Sequence, residues 1–156
     1  IGPYRLVPAG AAAATLNVDG AAVDVPATTL APGTDHTLLV RGTPAAPLAS
    51  WIADDNRPPV LAGSARLRLL NGLADLAEPL SMTLDFTPVA SGVAPGTASA
   101  PVRVDASTGA RIAVTAPGVG APLYAVEDRP LAGGGVYTVF VLGAADAAQG
   151  IPYRDR

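Results

Sequence analysis

One feature of this chain constrains its fold more than any other: an internal repeat in two unequal copies. The stretch Leu30–Gly42, LAPGTDHTLLVRG, reads again as Leu131–Gly143, LAGGGVYTVFVLG. A matching pair of short β-forming runs lies upstream of each. Arg5-Leu6-Val7 and Ala14–Val18 precede the first copy; Val102-Arg103-Val104 and Ala110–Val114 precede the second. The second copy also owns Ala65–Ala100, for which the first has no counterpart. A β-sandwich short of strands keeps an unpaired edge and an uncovered core. The reading therefore expects a first copy that borrows backbone. Two sources stay open. One is a stretch of the same polypeptide upstream of Ile1, which would also hold a signal peptide; the other is a strand added by β-augmentation, from a protein partner or by self-association. The edge expected to receive it comprises Tyr4, Leu6 and Val7 or Leu38 and Val40.

The strand assignment rests on period-2 alternation. Leu67 and Leu69 alternate with Arg66 and Arg68. Leu80, Met82, Leu84 and Phe86 alternate with Ser81, Thr83 and Asp85, and Ile112 and Val114 with Arg111, Ala113 and Thr115. Each reads as an antiparallel strand with one wet face. Val136–Leu142 is apolar on both faces, which marks a central strand or one lying against a neighbouring domain. The 17 Gly and 16 Pro punctuate the 156 residues too often for long helices. Asp19-Gly20 is a two-residue hairpin signal. Glu127-Asp128-Arg129-Pro130 reads as a loop, and the one helix candidate, Ala144–Gln149, is short.

These signals predict an all-β protein: two Ig-like antiparallel β-sandwich domains in tandem, the first lacking its opening strands. Residues 1–53 form the partial domain, 54–64 a Pro-rich linker and 65–156 the complete domain. Pro58-Pro59 stiffens the connection, so the two units should hold a fixed orientation. Trp51, Asp54, Asp55 and Asn56 are placed at the junction.

The junction residues Asp54–Pro59, followed by Ala65-Arg66-Leu67-Arg68-Leu69-Leu70-Asn71-Gly72, resemble the boundary between tandem repeats of a bacterial secreted or envelope family, domain of unknown function 4397. Ala90–Ser99 is similar to that family's Gly-Val loop and Gly135–Gly143 to its closing strand. The resemblance implies Ig-like repeats and a secreted, periplasmic or cell-surface location. It implies no activity. The segment Asn71-Gly72-Leu73-Ala74-Asp75 departs from the family pattern, so no ligand site is transferred.

Composition narrows function mainly by exclusion. All ten basic residues are Arg, none densely clustered, and the net charge is −3, so no nucleic-acid footprint is present. With no Cys there is no disulfide and no thiolate chemistry. No apolar run is long enough for a transmembrane helix. His36 is the lone histidine and has no Gly-x-Ser-x-Gly elbow to serve. Asp54, Asp55 and Asn56 are oxygen donors, but three adjacent side chains cannot converge on one Ca²⁺, and Asx residues before prolines more often build turns. Glu78, Glu127 and Asp128 are the carboxylates weighed for a glycosidase pair. The reading expects no catalytic residue, metal or cofactor. It expects a non-enzymatic structural, assembly or adhesion module of a bacterial envelope or exterior. A polysaccharide- or ligand-binding module, with Trp51, Tyr4, Tyr124 and Tyr153 as its aromatics, is the alternative.

Overall fold

The computed structural model describes residues 1–155. The chain is almost entirely antiparallel β-structure. Its first part holds six strands: β1 (Gly10–Ala12), β2 (Leu16–Val18), β3 (Ala21–Val23), β4 (Thr28–Leu30), β5 (Asp35–Thr43) and β6 (Ala46–Asp54). These pair only as three two-stranded ribbons, β1–β4, β2–β3 and β5–β6. Asp19 and Gly20, at φ 50° and 85°, make the tight turn between β2 and β3.

The second part is a sandwich of two four-stranded sheets. One has the order β10 (Val102–Asp105), β7 (Ser64–Leu73), β13 (Val136–Gly143), β14 (Gln149–Arg154). The other has the order β12 (Tyr124–Leu131), β11 (Ser107–Thr115), β8 (Leu80–Leu84), β9 (Thr87–Val93). Leu67 and Leu69 of β7 and Val139 and Val141 of β13 meet Met82 of β8 and Ile112 and Val114 of β11 in one dry core. Full burial of side chains of this size stabilises by about 1.5–3 kcal/mol each.

The outer face of the first sheet is covered too. Leu39 of β5 and Ile52 of β6 pack on Leu70 and Phe140. The hairpin β5–β6 thus forms a third layer, which accounts for the two apolar faces of β13. Gly72 marks the close approach: a Cβ there would lie 2.5 Å from Leu142 Cδ2 and 3.2 Å from Leu39 Cδ1.

Several sequence expectations are corrected. Arg5-Leu6-Val7 is not a strand; residues 1–8 carry no regular structure. The expected wet face of β7 is absent, because Arg68 is 3% exposed beneath the β5–β6 layer; β7 also runs parallel to β13. Glu127–Pro130 lies within β12, where Asp128 adopts φ 54° at a register shift opposite Ala110. Pro130 is tolerated because β12 is an edge strand. Phe86 leaves the alternation of β8: it sits in the tight β8–β9 turn at φ 68°, exposed, with Arg111 over its ring. Ala145–Ala147 is a single 3-10 turn.

Candidate functional site

The stretches Leu30–Gly42 and Leu131–Gly143 take similar local strand pairings. Gly10 pairs with Leu30 as Ser107 pairs with Leu131, so β1 to β4 correspond to the β11–β12 ribbon broken in two. The β5–β6 hairpin corresponds to β13–β14. Gly33 and Gly134 turn at φ 71° and 78°, and Gly42 and Gly143 lie near the ends of β5 and β13 at φ 95° and 94°. The copies differ in their neighbours. β13 is laddered on both edges, antiparallel to β14 and parallel to β7. β5 is laddered to β6 alone. Its other edge presents alternate N–H and C=O groups with no strand among the described residues to receive them.

The side chains tell the same story. His36, Leu38 and Val40 occupy the positions of Tyr137, Val139 and Val141. The latter three are 4%, 0% and 0% exposed; Val40 is 37% exposed, and His36 and Leu38 are half-buried. Trp51, opposite Leu38 in register, shares that open face and donates its indole N–H to Pro26 O at 2.9 Å. A groove of about 690 Å³ runs along β5. It is lined by Leu38, Val40, Phe140, Leu142, Tyr153 and residues 1–7. Tyr153 meets Phe140 edge-on, their ring centroids 6.3 Å apart.

The expected edge residues divide accordingly. Leu38 and Val40 lie on β5, which among the described residues is laddered on one edge. Leu6 and Val7 are exposed, Tyr4 less so, and all three line the groove. Among the described residues, no backbone hydrogen bond ties residues 1–9 to β5.

The opposite face of the hairpin is locked down by a polar network at the junction. Asp54, with a fully buried side chain, accepts from Arg68 Nη2 at 2.5 Å through Oδ1. Its Oδ2 accepts from Thr37 Oγ1 at 2.7 Å and from the Tyr4 hydroxyl at 2.8 Å. Arg68 Nε donates to Thr138 Oγ1 at 2.8 Å, and Thr138 donates to Asp155 Oδ2 at 2.6 Å. A buried charge pair is retained only when its remaining hydrogen-bonding capacity is met, and here the hydroxyls meet it. Burial pushes the Asp155 carboxyl up, with the Thr138 hydrogen bond opposing. Partial burial, with the Asp54 carboxylate adding to it, pushes the Tyr4 phenol up to about 12. Asp55 turns the other way, to Arg57 and Arg66 at 2.7 Å each; those guanidiniums hold its carboxyl well below the usual range. Asn56 donates to Asp35 Oδ2 at 3.0 Å. Asp54, Asp55 and Asn56 therefore serve three separate sets of partners.

Arg68, Thr138 and Asp155 were not anticipated from the sequence. The available signal was polarity misplaced inside apolar runs: Arg68 among leucines and Thr138 among valines. His36 Nε2 lies 3.1 Å from Thr34 Oγ1, but that hydroxyl donates to Ala31 O at 2.7 Å, so its proton is committed to a turn carbonyl. No family model matches the chain, and no curated protein is similar to it. No helix among the described residues is long and apolar enough to cross a membrane.

Proposed function

We propose that this chain is a non-enzymatic assembly or adhesion module of a bacterial envelope or exterior. Its two copies are Ig-like repeats, and the first is completed by a β-strand from a partner. One observation carries this reading: β5 lacks the second neighbour that its repeat equivalent, β13, possesses. The half-covered face of His36, Leu38 and Val40 supports it, since an exposed apolar edge is normally blocked or covered. The buried Asp54–Arg68 junction supports it as well, because a hairpin docked this firmly holds its free edge in a fixed position. The location rests on the sequence resemblance.

Amide hydrogen exchange tests the proposal. In the isolated protein, the outward amides of β5 exchange fast while those of β13 stay protected. With a host-surface fraction added, protection appears along β5, and a photo-reactive residue at position 40 cross-links to an extended peptide. Saturating binding of a glycan at Trp51 with β5 still unprotected would establish the polysaccharide module instead.

A further inference from the structure

The repeat specifies more than an open edge. It also states which strand is missing. Moving the β7–β13 pairing onto the first copy, by the offset that takes Tyr137 to His36, places a strand parallel to β5. In the second copy Leu67 lies opposite Tyr137, Leu69 opposite Val139 and Leu73 opposite Gly143. The corresponding places in the first copy are His36, Leu38 and Gly42. A strand set there has two apolar surfaces to satisfy. One side joins Leu38 and Val40. The other rests on Phe140, Leu142 and Tyr153, which line the same groove. β7 has this double pattern itself, with Leu67 and Leu69 on one face and Leu70 on the other, all fully buried.

Resting on the assembly reading above, we propose that β5 accepts a parallel strand donated by a second polypeptide. The donor is an extended segment apolar on both faces, like β7, in the register β7 keeps with β13. The segment of this chain nearest the site, residues 1–7, lines the groove without laddering to β5. The donor strand displaces it and breaks the Tyr4–Asp54 hydrogen bond. Parallel addition differs from ordinary hairpin extension, because the donor must enter in the direction of β5.

The test uses the whole chain and two synthetic peptides, one with the sequence of Ser64–Leu73 and one with that sequence reversed. Each carries a nitroxide at either end. The forward peptide is expected to protect the β5 amides. Its N-terminal label should broaden the resonances of Asp35 and His36, and its C-terminal label those of Arg41 and Gly42. Val40→Lys should weaken binding at least tenfold and leave the β7–β13 resonances unmoved. Two results would overturn parallel donation while leaving strand addition intact: the opposite broadening pattern, or protection of β5 by the reversed peptide alone. Failure of both peptides to perturb β5 at millimolar concentration would overturn parallel donation and the assembly reading together.

Discussion

The hairpins β5–β6 and β13–β14 share a local code and reach different states. Both begin after a glycine-bearing turn, both first strands carry a glycine near φ 95° at or beside their last residue, and both leading strands are rich in apolar residues. The leading strand of one, β13, lies between two laddered neighbours over a sealed core. The other docks by one face on a neighbouring sheet and leaves its second face half open. Local sequence thus specified the hairpin, while coverage was decided by strands far away in sequence. Only one copy has them.

The comparison breaks most severely at the junction. If β5–β6 owes its order to docking, removing the buried cation should free it. Arg68→Ala leaves Asp54 buried and unpaired, a loss of about 3–5 kcal/mol. The cheapest escape is for the hairpin to lift off and hydrate the carboxylate. Residues 35–54 are expected to lose amide protection while the two-sheet sandwich retains its own, with a corresponding drop in urea stability. Native protection of β5–β6 in this variant would show that the first copy is self-sufficient.

How much of this was legible in the sequence follows from the same contrast. The Asp19-Gly20 turn and the doubly apolar β13 were readable because period and turn chemistry are local. The alternation of Arg5-Leu6-Val7 looked equally strand-like, but a strand exists only where a partner lies alongside, and pairing is not local. The reverse happened at Glu127–Pro130: its polarity read as loop, yet an edge strand with a bulge tolerates a turn-like Asp128 and a proline. Arg68 was assigned to water because its partners are remote in sequence: Asp54 in the covering hairpin lies 14 residues upstream and Thr138 on the neighbouring β13 lies 70 residues downstream. Trp51 was placed at the junction with Asp54, Asp55 and Asn56, whose side chains bond Arg68, Arg57, Arg66 and Asp35. The Trp51 ring shares the open face with Leu38, since strand alternation separates it from Ile52.

Truncations at equivalent positions sharpen the comparison. Val139→Ala should cost about 2 kcal/mol, because that side chain is wholly buried. Leu38→Ala removes a larger side chain at the matching position, yet should cost under about 1 kcal/mol in the isolated protein, since much of the surface is already wet. With a donor strand bound, the Leu38→Ala penalty should rise toward that of Val139→Ala. Chemical denaturation of the two variants measures it, and equal costs in the isolated protein would mean that the first copy's face is already covered.

The closing glycines probe whether the hairpins share one backbone design. Gly42→Ala and Gly143→Ala each force a side chain into the left-handed region, at about 1–2 kcal/mol. Gly42→Ala should be the worse of the two, because its Cβ would collide with the Ala46 carbonyl oxygen, whereas at Gly143 the nearest atom, Ala147 O, stands 3.2 Å away. Thermal unfolding ranks them. A neutral Gly42→Ala would mean that the first hairpin tip is free to reshape.

The smallest effect belongs to the segment that borders the groove. Tyr4 is partly exposed and joins the junction by one hydroxyl, so Tyr4→Phe should cost about 0.5–1.5 kcal/mol at most, felt as faster exchange near residue 37 rather than as global unfolding. The same bond gives a pH signature with a definite sign. A phenol raised to about 12 in the folded chain, from an ordinary value near 10, favours the docked segment fully below pH 10 and progressively less as pH climbs toward 12. In that window the neutral hydroxyl that donates to Asp54 becomes an anion facing a carboxylate, and residues 1–7 should leave the groove. Tyrosinate absorbance together with β5 amide exchange follows the release, and Tyr4→Phe should abolish its pH dependence. A donor peptide should then bind more tightly at pH 11 than at pH 8 to the native chain, and equally at both to Tyr4→Phe. Equal affinity for the native chain at both values would mean that residues 1–7 never compete for the β5 edge.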